Sequence, residues 1–127
     1  MDLLSLKMWS SDDILATVEG GLSVKHHPER YKDGLTGQTL AMLFQKTSTR
    51  TRCAFEVGMA QLGGHTVFLD WRTTNFALAD LQDEAQVLSR YADVIMARML
   101  KHKDLQSLAK GSAVPVINGC CDRYHPC

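Results

Sequence analysis

Apolar residues in this chain fall into short runs that alternate with stretches of helical spacing. TLAMLF, residues 39 to 44, is a continuous apolar run whose length suits a strand buried on both faces. HTVFLD (65 to 70), DVIMAR (93 to 98) and VPVING (114 to 119) supply three more strands. Between the first two, Ala54, Phe55, Val57, Gly58, Ala60, Gln61 and Leu62 are compatible with a buried helix that Gly63 and Gly64 stop. DLQDEAQVLSRY (80 to 91) predicts an acid-started helix with an apolar side on Leu81, Ala85, Val87 and Leu88, and KDLQSLAKGS a short helix ending at Gly111. Ahead of the first strand, the Ser/Asp cluster of WSSDD suits an N-cap. Ile14, Leu15 and Val18 then predict a helix from about 11 to 18 or a little further, its far end weakened by Gly20, Gly21 and Pro28.

The order is one helix followed by β-α-β-α-β-α-β. That alternation predicts an α/β three-layer domain: a four-stranded parallel sheet, right-handed crossovers, and helices on both faces. Ligands of such sheets bind at the carboxyl ends of the strands. Polar, reactive residues cluster there after every strand: Ser48 to Arg52, Trp71 to Asn75, Arg98, and Asn118 to His125. All four clusters are expected along one edge.

Composition narrows the chemistry. The 127 residues, 45% hydrophobic, bury one ordinary core and not two. Lys plus Arg equals Asp plus Glu at 14 each, which excludes a global basic field for nucleic acid or anionic membrane and makes any anion site local. No apolar run reaches the roughly 18 to 20 residues that span a bilayer. MDLLSLKMWSSDD has no basic leader and carries acids early, so a cytoplasmic location is expected. Cys53, Cys120, Cys121 and Cys127 form no disulfide framework. Cys120, Cys121, His125 and Cys127 are zinc-ligand types, yet the spacing contains no C-x2-C pair, and no metal site is expected. The chain stops soon after its fourth strand, without a closing helix, so a fragment or an isolated domain is expected.

FQKTSTRTRCAFEVG (44 to 58) places two arginines and three hydroxyls in five consecutive positions directly after the first strand. The first turn of a helix offers free N–H groups and a positive dipole end. With the Ser48, Thr49 and Thr51 hydroxyls and the Arg50 guanidinium, that turn is a phosphate cradle. Arg52 points elsewhere and can pair with Glu56 at i+4. The plainer alternative is a hydroxyl-capped helix with solvated arginines. There is no G-x-x-x-x-G-K-[ST] and no G-x-G-x-x-G, so neither a nucleotide P-loop nor a dinucleotide is indicated.

This stretch resembles the carbamoyl phosphate signature of the aspartate and ornithine carbamoyltransferases, whose core is S-T-R-T-R. DVIMAR and VPVINGCCDRYHPC resemble two further signatures of that family, the last ending in a His-Pro pair. The resemblance covers the chain as an N-terminal carbamoyl-phosphate-binding domain, residues 1 to 127. It implies that Ser48, Thr49, Arg50 and Thr51 hold the phosphate, that Arg98 touches phosphate and carbamoyl oxygen, and that His125 donates to the carbamoyl carbonyl. Arg50, Arg98 and His125 would then be the catalytic residues, with Asn75 an approximate counterpart of a family glutamine in the substrate site. No cofactor is implied. The continuation Cys-x-Phe-Glu-Val, and a second loop without lysine, favour ornithine over aspartate as acceptor. Trp71-Arg72 and Ala79-Asp80 depart from the ornithine pattern and leave another amine open. The family's second domain, which binds the amine, lies outside this chain, and full-length members are trimers, so the chain alone is expected to lack turnover. A non-catalytic anion-binding or assembly module, and a flavodoxin-like regulatory domain, are the competing readings.

Overall fold

The computed structural model describes residues 1–125. Strand β1 (Thr39–Phe44) lies inside the sheet, its residues from Leu40 onward nearly free of solvent contact. It pairs in parallel with β2 (His65–Asp70) on one side and β3 (Val94–Arg98) on the other. β4 (Val116–Asn118) pairs in parallel with β3, giving the order β2-β1-β3-β4. The expected three-layer α/β domain with a four-stranded parallel sheet and helices on both faces is therefore present.

The direction of each crossover decides which face its helix covers. Passing from β1 to β2 runs one way along the sheet, whereas β2 to β3 and β3 to β4 run the other way. Right-handed connections then put the first helix opposite the other two. Accordingly, Phe55 and Met59 of α2 (Arg50–Gln61) pack on Leu40, Met42, Phe44 and Met96. The alternate residues Ala41, Leu43, Ile95 and Ala97 meet α3 (Leu81–Leu88) and α4 (His102–Gly111) through Ala85, Leu105 and Leu108. Period-two alternation along β1 thus builds two cores from one strand. Gly63, at φ +82, takes the left-handed position that ends α2.

Helix α1 (Ser11–His26) runs well past residue 18. Gly20 and Gly21 cost about 1 kcal/mol each in a helix interior, but both termini are supported. Ser10 accepts the Asp13 N–H at 3.1 Å, Asp12 and Asp13 sit in the first turn, and Lys25 and His26 in the last. The helix buries none of its residues.

The N-terminal segment, unassigned by periodicity, runs beside β4. Leu3 bridges Ile117 in parallel, its N–H bonds Val116 O at 2.8 Å, and Asp2 Oδ1 accepts the Val116 N–H at 2.9 Å. No helix among the described residues is long and apolar enough to cross a membrane.

Candidate functional site

The chain leaves β1 toward one face and β3, its neighbour, toward the other. Between their carboxyl ends the backbones diverge, and a crevice opens there in doubly wound sheets. Gln45 fastens the two strand ends together: its N–H donates to Arg98 O at 2.9 Å and its Oε1 accepts the Leu100 N–H at 2.8 Å. The turn Lys46 to Thr49 then climbs to the start of α2. Ser48 Oγ accepts the Thr51 N–H at 3.3 Å, so Ser48 caps the helix by side chain while Thr49 does not.

Arg98 reaches across this crevice from the tip of β3. Its Nη1 donates to Thr51 Oγ1 at 3.3 Å and to Gly119 O at 3.0 Å. One guanidinium therefore links the clusters that follow β1, β3 and β4. Its Nε is buried with no acceptor among the described residues. An orphaned buried N–H is costly, about 1–3 kcal/mol, and recurs where a site is built for a negatively charged partner.

On the other side of the turn, a cavity of about 480 Å³ is lined by Lys46, Ser48, Thr49, Arg52, Asp70 and Arg72, among others. Arg52 pairs with Glu56 at 3.2 Å, as its i+4 spacing predicts, and its guanidinium lies 3.6 Å over the Phe68 ring. Arg72 grips Asp70 with both Nε (3.1 Å) and Nη2 (2.7 Å), and its backbone N–H adds a third bond at 2.9 Å. The side-chain bonds from Arg72, then the backbone one, hold the Asp70 carboxyl down at about 2; the same pair raises Arg72 above its ordinary value.

After β4, Asn118 is the one buried polar side chain of the core among the described residues. Its Nδ2 donates to Leu4 O at 2.9 Å and Tyr124 O at 3.2 Å, and its Oδ1 accepts the Cys120 N–H at 2.9 Å. The turn carrying His125 is thereby tied to the sheet.

The structure joins Ser48, Thr51 and Arg98 directly. Arg50 opens α2 with an exposed side chain, and His125 is exposed immediately beyond Tyr124. Asn75 lies apart, exposed in a single 3-10 turn (Asn75–Ala77) after β2. Trp71 packs: its ring meets Phe76 at 6.0 Å and lies against the core. Of the four metal-ligand types considered, Cys127 lies outside the described residues, and among those described no group of three His, Cys, Asp or Glu could hold an ion. Sequence reading missed Gln45 and Lys46, whose polar character between two greasy elements was the available signal. It also missed Asp70 as the partner of Arg72; an Asp two residues before an Arg at a strand end was the clue.

Residues 1–127 match the family model described as aspartate/ornithine carbamoyltransferase, carbamoyl-P binding domain. The chain is 46% identical to the ornithine carbamoyltransferase of Pyrococcus abyssi, covering 99% of this chain and 41% of that one. It is 45% identical to the ornithine carbamoyltransferase of Bacillus subtilis, with 99% and 39% covered. The solved ornithine carbamoyltransferase of Pyrococcus furiosus superposes with a TM-score of 0.94 at 46% identity, over 99% of this chain and 41% of that one. An N-acetyl-L-ornithine transcarbamylase variant, solved with carbamyl phosphate and N-succinyl-L-norvaline, superposes at 0.88 and 31% identity over 100% and 44%. The chain thus spans about two fifths of the length of these relatives.

Proposed function

Because this chain belongs to the aspartate/ornithine carbamoyltransferase family, matching its carbamoyl-phosphate-binding domain from end to end, we propose that it is the carbamoyl-phosphate half of an ornithine-type carbamoyltransferase. One observation carries the reading: Arg98 spans Thr51 and Gly119 beside a helix start, with its Nε buried and unmatched among the described residues. A dianion seated at the first turn of α2 meets the Ser48, Thr49 and Thr51 hydroxyls, free backbone N–H groups and Arg50. The acceptor amine attacks the carbamoyl carbon, and charge builds on the carbonyl oxygen and the departing phosphate. Arg50, Arg98, Thr51 and His125 stabilise that charge with donors already in place. Asn75, on its separate turn after β2, completes the proposed carbamoyl phosphate contacts.

Ornithine is the acceptor that the relatives favour. The N-acetyl-L-ornithine enzyme supports a second reading, an N-acylated ornithine, because the Trp71 to Asp80 loop departs from the ornithine pattern. The amine-binding domain is the part of the relatives that this chain does not span, and assembly into a trimer belongs to the same proposal.

Titration calorimetry of the 127-residue chain with carbamoyl phosphate tests the site. Binding is expected, and Arg98→Ala is expected to weaken it about 10- to 100-fold, the worth of one or two charge-assisted hydrogen bonds. Wild-type heat indistinguishable from buffer dilution, in a folded sample, refutes the assignment. With ornithine added, citrulline formation by the chain alone is expected to be absent; robust turnover would show that two fifths of the relatives' length suffices.

A further inference from the structure

Cys121 is the buried member of two adjacent thiols in the turn after β4, and the proposed carbamoyl chemistry gives it no role. Four groups surround its sulfur. The Tyr124 N–H donates to it at 3.3 Å and Asn118 Nδ2 at 3.5 Å, Tyr124 O lies at 3.4 Å, and His102 Nδ1 lies at 3.4 Å. His102 is the first residue of α4, and two neighbours fix it. Its backbone N–H donates to Asp122 Oδ1 at 2.7 Å, and its ring meets Tyr124 edge-on at 4.8 Å. The imidazole also lines an open cavity of about 320 Å³, whose rim holds Lys101, Lys103 and Arg123 against the single carboxylate of Asp122. A buried thiol in contact with a held imidazole, where that histidine borders a cationic cavity, is an arrangement from which sulfur acts as a nucleophile.

We propose that Cys121 is a thiol-modification site for small hydroperoxides, with His102 as its base. In the tautomer with the proton on Nε2, Nδ1 takes the thiol proton as the sulfur attacks one peroxide oxygen. An S–O bond forms, the O–O bond breaks, and the departing hydroxide recovers the proton from the imidazole as water. Sulfur gives up an electron pair, the peroxide is reduced, and the product is a sulfenic acid. Cys120 is half-buried next door, its Sγ turned back toward Cys121 O at 3.6 Å.

Exposure alone ranks the thiols the other way, since Cys53 is exposed and Cys121 is buried. The chain is treated with hydrogen peroxide for timed intervals and unfolded into a sulfenic-acid trap. Adducts, and disulfides involving each cysteine, are then quantified by tandem mass spectrometry. Oxidation is expected at Cys121 first, about tenfold or more ahead of Cys53. His102→Gln is expected to slow Cys121 by about tenfold or more while leaving Cys53 unchanged. Oxidation led by Cys53 or Cys120 overturns the proposal in the wild-type chain alone, whatever the variant's folding. A Cys121 rate indifferent to His102→Gln, with Cys53 unchanged, overturns it as well.

Discussion

Arg72 holds the Asp70 carboxyl down at about 2 through two guanidinium bonds and one backbone bond. Its folded value lies below the unfolded one. The pair therefore contributes fully above the ordinary carboxylate range, and that contribution is lost as pH falls from near 4 toward 2. Carboxyl-carbon NMR is expected to show Asp70 still ionised at pH 3, where most Asp side chains have begun to protonate, and Arg72→Ala to return its titration toward 3.8. The exposure of Arg72 keeps the stability effect small. Asp122, beyond the opposite edge strand, is lowered too, chiefly by the backbone N–H of His102 and then by Lys101. That Ser48, Thr51 and Arg98 come together at the strand ends was legible in the sequence, because strand-end position places them on one rim. The hub of Asn118 and the contact of Cys121 with His102 were not, since each joins segments that no local pattern relates.

At the level of elements, α3 and α4 depend on two devices that differ in size. Asp80 caps α3, its Oδ1 accepting the Gln82 N–H at 2.8 Å and the Asp83 N–H at 3.4 Å. Asp80→Ala is expected to cost about 1 kcal/mol in urea denaturation. Gly111 ends α4 where the backbone of Gln82 passes so close that an added Cβ would collide with its Cα and carbonyl. Neither backbone can yield cheaply, so Gly111→Ala is expected to cost about 3 kcal/mol or more; a loss no larger than that of Asp80→Ala would mean the two helices slide apart freely. Helix and strand identity was readable because buried parallel strands leave unbroken apolar runs, and β1 is buried from Leu40 to Phe44. The length of α1 was not, because glycine pairs read as stops. The cap at Ser10 and the charges at both ends, which outweigh them, act over single turns.

For the whole molecule, stability is concentrated in the sheet and its two cores. Leu15, Val18 and Leu22 on α1 are about half exposed, and a side-chain bond from Ser23 Oγ to Tyr31 OH at 2.7 Å moors the helix. In the isolated chain, amide exchange is expected to report α1 opening at a small fraction of the free energy protecting β1 and β3. Equal protection would show that α1 is held by contacts beyond those described.

The strap formed by Leu3 sets an order of events for the folding chain. Asp2 and Val116, joined by one hydrogen bond, are separated by 114 positions. Bringing such distant points together costs about 4 kcal/mol in chain entropy before any contact repays it. Docking of the first residues is therefore expected to close onto a sheet already built, and on gentle destabilisation this edge is expected to open ahead of β1 and β3, baring the outer hydrogen-bonding groups of β4.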